Sequence, residues 1–299
     1  GLEACVADAL KIDVGKPITK DDLRRLTEFS CELTENPDIS PLAYATNLKR
    51  LTLRNSKISD ISALKKLVAL ESLDVSGNRI SDFAALKSLT KLIHVKIGSQ
   101  KPSGSLLTNR WVDVGGRWYY LNSQGQMATD WGKVGATWYH FDSEGAMSTG
   151  WLRLGKTWYY LDATGAMATG WAAVGGKWYY LDSTGAMATG WTKVGGTWFF
   201  MNSSGAMATG WLARGGTWYY LRPNGAMVTG WLQQGNVWYY LNSTGAMVTG
   251  RHTINGVTYT FNSSGIWLSD QIPLFVYGTL RTGEEAEFVI SGYVQQKIV

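Results

Sequence analysis

Apolar positions in the first third of the chain recur every 22 residues. Leu48, Leu51 and Leu53 return as Leu70, Leu73 and Val75, then as Leu92, Val95 and Ile97. Ile58, Ile61, Leu64 and Leu67 return as Ile80, Phe83, Leu86 and Leu89, with Ser56 and Asn78 in a shared polar slot. The L-x-L of each unit predicts a short strand. The polar slot predicts a side chain that satisfies backbone groups where the chain turns. A partial unit at residues 39–42 precedes the first full one. Residues 2–36 carry helical spacing at Leu2, Val6, Ala9 and Leu10. Thr19 is the expected N-cap of a helix with Asp22, Leu23 and Leu26, acidic in its first turn. Two full and two partial units are close to the minimum for a shared core, and a solenoid needs a protected end. Nothing after Ile97 reads as a cap, so another segment is expected to cover that edge. Residues 99–109 read as a linker.

From residue 110 the period becomes 20. The unit is Gly-Trp-x-x-x-Gly-x-x-Trp-Tyr-Tyr-Leu-(Asn/Asp)-x-x-Gly-Ala-Met-x-Thr, complete at residues 150–169. Trp-Tyr-Tyr-Leu predicts a strand, Asn/Asp-x-x-Gly a tight turn with glycine at a positive φ, and Ala-Met-x-Thr-Gly the return strand. Each unit is then one β-hairpin plus a loop, and Trp151 lies in the loop between hairpins. A lone hairpin is unstable in water, so the units are expected to stack and share their aromatics. The eighth unit is degenerate: Arg251 and Thr258 replace both tryptophans, Thr260 follows, and Trp267 takes the methionine slot.

Composition sharpens this picture. Charged residues make up 17% of the 299, while glycine (35) and tryptophan (15) are abundant. Aromatic burial of this kind excludes disorder. The net charge of +5 is spread without a long basic run, which argues against a nucleic-acid partner. Cys5 and Cys31 are either one disulfide in the N-terminal cap or two buried thiols. Two cysteines and three scattered histidines (His94, His140, His252) suggest no metal site, and nothing calls for a cofactor. No apolar run approaches the length of a membrane span. The start of the chain shows no secretory leader, as expected of a mature secreted chain or a trimmed one.

Two tryptophans and a tyrosine per repeat call for a reason beyond packing, because a core would tolerate leucine. Alternation puts Trp158 and Tyr160 on one strand face and Tyr159 on the other. Tyr119 and its equivalents read as solenoid core. Converging aromatic faces with methionine as a floor form a cage for a quaternary ammonium, which has no N–H and needs no carboxylate partner. The candidate walls are the pairs Trp111/Trp118, Trp131/Trp138, Trp151/Trp158, Trp171/Trp178, Trp191/Trp198, Trp211/Trp218 and Trp231/Trp238. Third walls are assigned to Tyr120, Tyr160, Tyr180, Phe200, Tyr220 and Tyr240, although the sequence leaves open which tyrosine of each Tyr-Tyr faces the site. Floors are assigned to Met147, Met167, Met187, Met207 and Met227. His140 stands in a third-wall slot and puts that site in question.

The 20-residue unit resembles the choline-binding repeats of Gram-positive surface proteins, in which two tryptophans of one hairpin and an aromatic of its neighbour hold choline of teichoic acids. A related repeat family binds glucans, so a carbohydrate ligand is the alternative. The 22-residue unit with its N-x-I-S-D ending resembles the bacterial internalin-type leucine-rich repeat domain. Leu274–Gly283 resembles the opening motif of the γ-glutamylcyclotransferase-like fold, which would imply an enzyme, but too few residues follow to complete it. The expected fold is modular: a short α/β leucine-rich repeat solenoid with a helical N-terminal cap, followed by an all-β solenoid of stacked β-hairpins. The expected divisions are 1–47 for the cap and partial repeat, 48–98, the linker, 110–271 for the hairpins and 272–299 for a terminal strand segment. The resemblances imply a secreted, non-catalytic cell-wall protein whose head binds a protein partner. Residues 272–299 are expected to cap the last hairpin rather than the head, because the repeats separate them from Ile97. Their deletion should lower the melting temperature of the repeat array alone.

Overall fold

The computed structural model describes residues 1–268 apart from Val14 and Glu35. These residues form two compact units, Gly1–Thr192 with Phe200–Met207, and Lys193–Phe199 with the chain from Ala208 onward. The tail 272–299, with its expected strands and motif, lies outside the described residues.

The first unit opens with helix α1 (Leu2–Leu10), ended by Lys11 in the left-handed region, and helix α2 (Lys20–Arg24). Thr19 caps α2 reciprocally: Asp22 N donates to Thr19 Oγ1 at 3.2 Å, and Thr19 N donates to Asp22 Oδ2 at 3.0 Å. Of the two readings left open for the cysteines, the disulfide is the one found, joining Cys5 to Cys31 across 26 residues. A crosslink closing a loop of that length stabilises by about 3–4 kcal/mol in the chain-entropy description.

The cap is not wholly helical. Strand β1 (Glu28–Ser30) buries Phe29 and pairs in parallel with β2 (Arg50–Thr52), followed by β3 (Ser72–Asp74) and β4 (His94–Lys96). Phe29, Leu51, Leu73 and Val95 stand in register across this sheet. Helical spacing at the start of the cap hid this strand, whose pattern is only three residues long. Opposite the sheet run 3₁₀ turns at Ser40–Tyr44, Ser62–Lys66 and Ala84–Leu86. The carboxylates of Asp38, Asp60 and Asp82 accept from the N–H groups of Ser40, Ser62 and Ala84, each at 2.8 Å, which explains the recurrent aspartate before every turn.

The polar slot is a buried ladder. Asn78 Nδ2 donates to the carbonyls of Leu53 and Val75 at 2.7 and 2.8 Å, and Oδ1 accepts from the N–H of Ser56 and Ile58 at 2.9 and 3.0 Å. Gln100, from the segment read as a linker, repeats the pattern: Nε2 donates to Val75 O at 2.7 Å, and Oε1 accepts from Ile80 N at 3.0 Å. Leu53 O and the N–H groups of Ser56 and Ile58 depend on Asn78 alone, while Val75 O also accepts from Gln100. Asn78→Leu strands those three groups without water, and at ~1–3 kcal/mol for each unsatisfied buried group the head is expected to lose most of its stability. A denaturant melt of the variant that superimposes on wild type would contradict this account.

The open end of the head is covered by the first hairpin (Arg110–Val114 with Arg117–Leu121). Val112, Val114, Tyr119 and Leu121 are buried in one core with Leu86, Leu89, Leu92 and Ile97. Gly115 N donates to Leu86 O at 3.0 Å, and Ser99 N donates to Gly125 O at 2.6 Å. The His94 ring and Glu144 lie 3.1 Å apart at the rim.

Each repeat supplies two five-residue strands, but the hairpin differs from the one read in the sequence. Gly150–Leu154 pairs antiparallel with Thr157–Leu161, so Trp151 is a strand residue and not a loop residue. The reversal is the two-residue turn Gly155–Lys156, with φ of 60° at Gly155. Where Gly-Gly stands, as at 175–176, both residues have positive φ. These are the turn types whose twist suits adjoining strands. The Asn/Asp-x-x-Gly segment is a second turn: Asp162 Oδ1 accepts from Thr164 N and Ala166 N at 2.8 and 3.0 Å. The Thr164 hydroxyl donates to the same oxygen at 2.6 Å, and this bond foremost, with the two from the backbone, holds the Asp162 carboxyl below its ordinary pKa. Beyond the turn, Met167 makes only an isolated bridge to Leu161.

The methionine segment links neighbouring repeats. Met147, Met167, Met187 and Met207 donate their N–H groups to the carbonyls of Trp118, Trp138, Trp158 and Trp178, each in the preceding hairpin, at 2.7–2.9 Å. The thioether of Met167 fills the space that a Cβ on Gly185 would enter, so the positive φ there is not the only reason for glycine.

The second unit repeats this scheme. Gly210–Arg214 pairs with Thr217–Leu221, Gly230–Gln234 with Val237–Leu241, and Gly250–Ile254 with Val257–Phe261, to which Trp267–Leu268 adds. Met227 N and Met247 N donate to the carbonyls of Trp198 and Trp218 at 2.8 Å.

Candidate functional site

The pairing register brings the aromatics together. Trp151 stands opposite Tyr160, and Arg153 opposite Trp158, so alternation places all four on one face of the hairpin. Trp151 and Trp158 meet edge to face with centroids 6.4 Å apart, and Tyr160 lies 5.1 Å from Trp151. The adjacent hairpin then lays Tyr179 against Trp151 at 4.7 Å. Trp158 remains 38% exposed, an unusual placement for a ring of that size unless something else covers it.

The same relations recur. In the first unit Trp111 meets Tyr120 at 5.0 Å and Tyr139 at 4.9 Å, Trp131 meets Tyr159 at 5.0 Å, and Trp171 meets Trp178 at 6.5 Å and Tyr180 at 5.2 Å. Trp191 meets Phe200 at 5.3 Å. In the second unit Trp211 meets Trp218, Tyr220 and Tyr239 at 6.4, 5.2 and 4.7 Å, and Trp231 meets Trp238, Tyr240 and Tyr259 at 6.3, 5.2 and 4.9 Å. Trp267 of the degenerate repeat closes on Trp231 at 5.8 Å. Trp118, Trp138, Trp178, Trp198, Trp218 and Trp238 are all exposed.

The second tyrosine of each pair, assigned from the sequence as the third wall, therefore sits within its own hairpin, across from the first tryptophan. The ring contributed by the next hairpin is the first tyrosine: Tyr139, Tyr159, Tyr179, Tyr239 or Tyr259. The sequence pattern assigns this position to the core. Tyr119 does belong to the core, fully buried against the head, and burial pushes its phenol pKa up. Tyr139, Tyr159, Tyr179, Tyr239 and Tyr259 are half-buried and face the preceding tryptophan. The signal was in the alternation: a residue on the face opposite Trp158 points to the preceding hairpin once hairpins stack.

His140 occupies the second-tyrosine slot of the second hairpin. Its ring is 5.2 Å from Trp131, Nδ1 is 2.9 Å from Ser148 Oγ, and Nε2 is 3.8 Å from Asp130. Burial lowers its pKa from the usual 6.5, with Asp130 and Asp142 pulling partly the other way. A folded imidazole harder to protonate than an unfolded one contributes stability fully above the usual histidine pKa. That contribution is lost as pH falls below it towards the folded value. The melting temperature of the repeat array is expected to drop between pH 7 and pH 5 more in wild type than in His140→Tyr. Equal drops in the two proteins would remove His140 from the explanation.

Among the described residues no group of three or more His, Cys, Asp and Glu side chains could hold a metal ion. Among the described residues no helix is long and apolar enough to cross a membrane.

Comparison with known proteins agrees with this geometry. The choline-binding repeat model matches successive segments from residue 107 to residue 251, and the model for leucine-rich repeats in two copies matches residues 46–100. Among solved structures, CbpJ from Streptococcus pneumoniae TIGR4 is 44% identical with a TM-score of 0.52, over 56% of this chain and 60% of that one. Choline binding protein F from Streptococcus pneumoniae is 42% identical with a TM-score of 0.53, over the same shares. A structure of CbpF in complex with ipratropium is 38% identical with a TM-score of 0.52, over 57% of this chain and 62% of that one. The chain thus spans about 60% of the length of these structures. No curated protein sequence matches it. Residues 107–251 are a choline-binding repeat region, carried behind a leucine-rich repeat region at residues 46–100.

Proposed function

We propose that this protein is a non-catalytic, secreted cell-wall binder whose aromatic cages hold choline of teichoic acids and so anchor a leucine-rich head that engages a protein partner. The observation that carries the reading is the exposed tryptophan set edge to face against a second tryptophan and roofed by a tyrosine from the next hairpin. Several ring faces around one quaternary ammonium contribute ~0.5–2 kcal/mol each, and the methyl groups are desolvated at the same time. The likeness to choline binding protein F supports choline over glucan. An internalin-like role for the head rests on its repeat pattern alone.

One weak site becomes strong retention when several engage one polymer. The protein is expected to stay on an immobilised quaternary amine through molar sodium chloride and to elute with free choline. Elution by salt alone would reduce the interaction to ion exchange by a basic protein. Elution by glucan oligosaccharides but not choline would transfer the cages to carbohydrate.

A further inference from the structure

The cage face of each hairpin holds one more position, directly across from the exposed tryptophan. In the second hairpin it is Lys133, whose Nζ lies 5.9 Å over the Trp138 ring; in the third it is Arg153, whose guanidinium carbon lies 5.9 Å over Trp158. In the other unit Lys193 Nζ lies 5.8 Å over Trp198. All three residues are exposed, and among the described residues none forms an ion pair with a carboxylate. Elsewhere the slot is Ala173, Ala213 or Gln233, and in the first hairpin it is Asp113.

A fixed cation beside a cage for a cation is unfavourable for free choline, because both charges compete for the same ring and repel each other. The arrangement becomes favourable when the ligand carries an anion close to its ammonium. Choline esterified to phosphate does so, with the ester oxygen joined to the nitrogen by two carbons. An ammonium or guanidinium at the cage rim then meets the phosphate oxygens, and arginine can do so through a forked pair of donors.

We propose that Lys133, Arg153 and Lys193 are anion subsites beside their cages. These repeats would take choline as its phosphoester in preference to the free alcohol, while those with Ala173, Ala213 and Gln233 would not distinguish the two. The inference rests on the choline reading and adds to it the residues that set how strongly particular repeats prefer the phosphoester.

The test is titration calorimetry of the full chain with choline and with phosphocholine, in wild type and in the triple variant Lys133→Gln, Arg153→Gln, Lys193→Gln, whose new residue is the one already present at Gln233. Wild type is expected to show a tighter class of phosphocholine sites, by about threefold at low salt as befits exposed ion pairs, and this preference should shrink with ionic strength. The triple variant should lose that class while its choline affinity holds or rises, and Lys133→Arg should retain it. A cation that merely packs on tryptophan would alter melting without moving the ratio of the two affinities. An unchanged ratio in the triple variant overturns the subsites. Failure of wild type to bind either ligand overturns the choline reading itself. Arg153→Gln alone, at one exposed position, carries the test if the triple variant does not fold.

Discussion

Cutting the chain after residue 109 is expected to leave the leucine-rich head without a cooperative unfolding transition, whereas cutting after residue 149 leaves it folded. The repeat units of the head expose a core face at their C-terminal end, and the covering layer is the first hairpin. Val112, Val114, Tyr119 and Leu121 are each at most 3% exposed and share a core with Leu89, Leu92, Val95 and Ile97. At ~1.5–3 kcal/mol per buried side chain, these four contribute roughly 6–12 kcal/mol. That is comparable to the ~5–15 kcal/mol net stability of an entire domain, so the head has no margin to lose them. The same interface can be broken in the full chain at Gly115. Its φ is 61°, and a Cβ there would stand 2.5 Å from Leu89 O, which is backbone and cannot step aside. Gly115→Val is therefore expected to lower the head's melting transition by many degrees and leave the distant repeats intact. Circular dichroism and differential scanning calorimetry of the two truncations and the variant decide it. A head ending at residue 109 that melts cooperatively at the wild-type temperature would show the hairpin to be a passenger.

This dependence marks where the sequence was legible and where it was not. The 22-residue pattern exposed the buried leucines, the polar slot and the missing cap, because strand alternation and a fixed period leave their imprint on residue type. It did not show what filled the gap. Gln100 continues the Asn78 ladder with a longer side chain, and Leu107 packs on the core from a segment that reads as linker. Val112 and Val114 differ only in degree from Leu152 and Leu154 of a later repeat, so nothing local marks the first hairpin as the cap.

The candidate site followed a similar course. Fourteen paired tryptophans could be placed from period alone. Reading Trp-Tyr-Tyr-Leu and Ala-Met as the two strands, however, moved the turn to Asn/Asp-x-x-Gly and put Trp151 in a loop. The Gly-x and Gly-Gly pairs, which demand positive φ at hairpin reversals, were the better signal. Once the turn is at 155–156, Trp151 and Trp158 share a face, and Tyr159 must point back to the preceding hairpin. What no single-repeat pattern contains is the bond from a methionine N–H to a tryptophan carbonyl one repeat earlier. That link exists only because hairpins stack.

Trp158→Ala is expected to remove one ligand site with little loss of stability, while Trp151→Ala removes the same site and destabilises the array. The two rings share a cage but differ in burial. Trp158 is exposed along its outer face, and its main structural contribution is a carbonyl that accepts the Met187 N–H, which alanine retains. Exposed substitutions that leave backbone bonds intact usually change stability by less than about 0.5 kcal/mol. Trp151 is half-buried between Tyr160 and Tyr179, with Trp158 at its edge. Deleting that ring leaves a cavity between hairpins and costs ~3–5 kcal/mol. Calorimetric stoichiometry for choline should fall by one in both variants, with wild-type melting for Trp158→Ala and a clear downward shift for Trp151→Ala. The contrast separates a ligand-binding ring from a structural one, because a purely structural aromatic cannot lose a site without losing stability. Should Trp158→Ala bind as many choline molecules as wild type, its exposure has no functional meaning and the cage must be built from other rings.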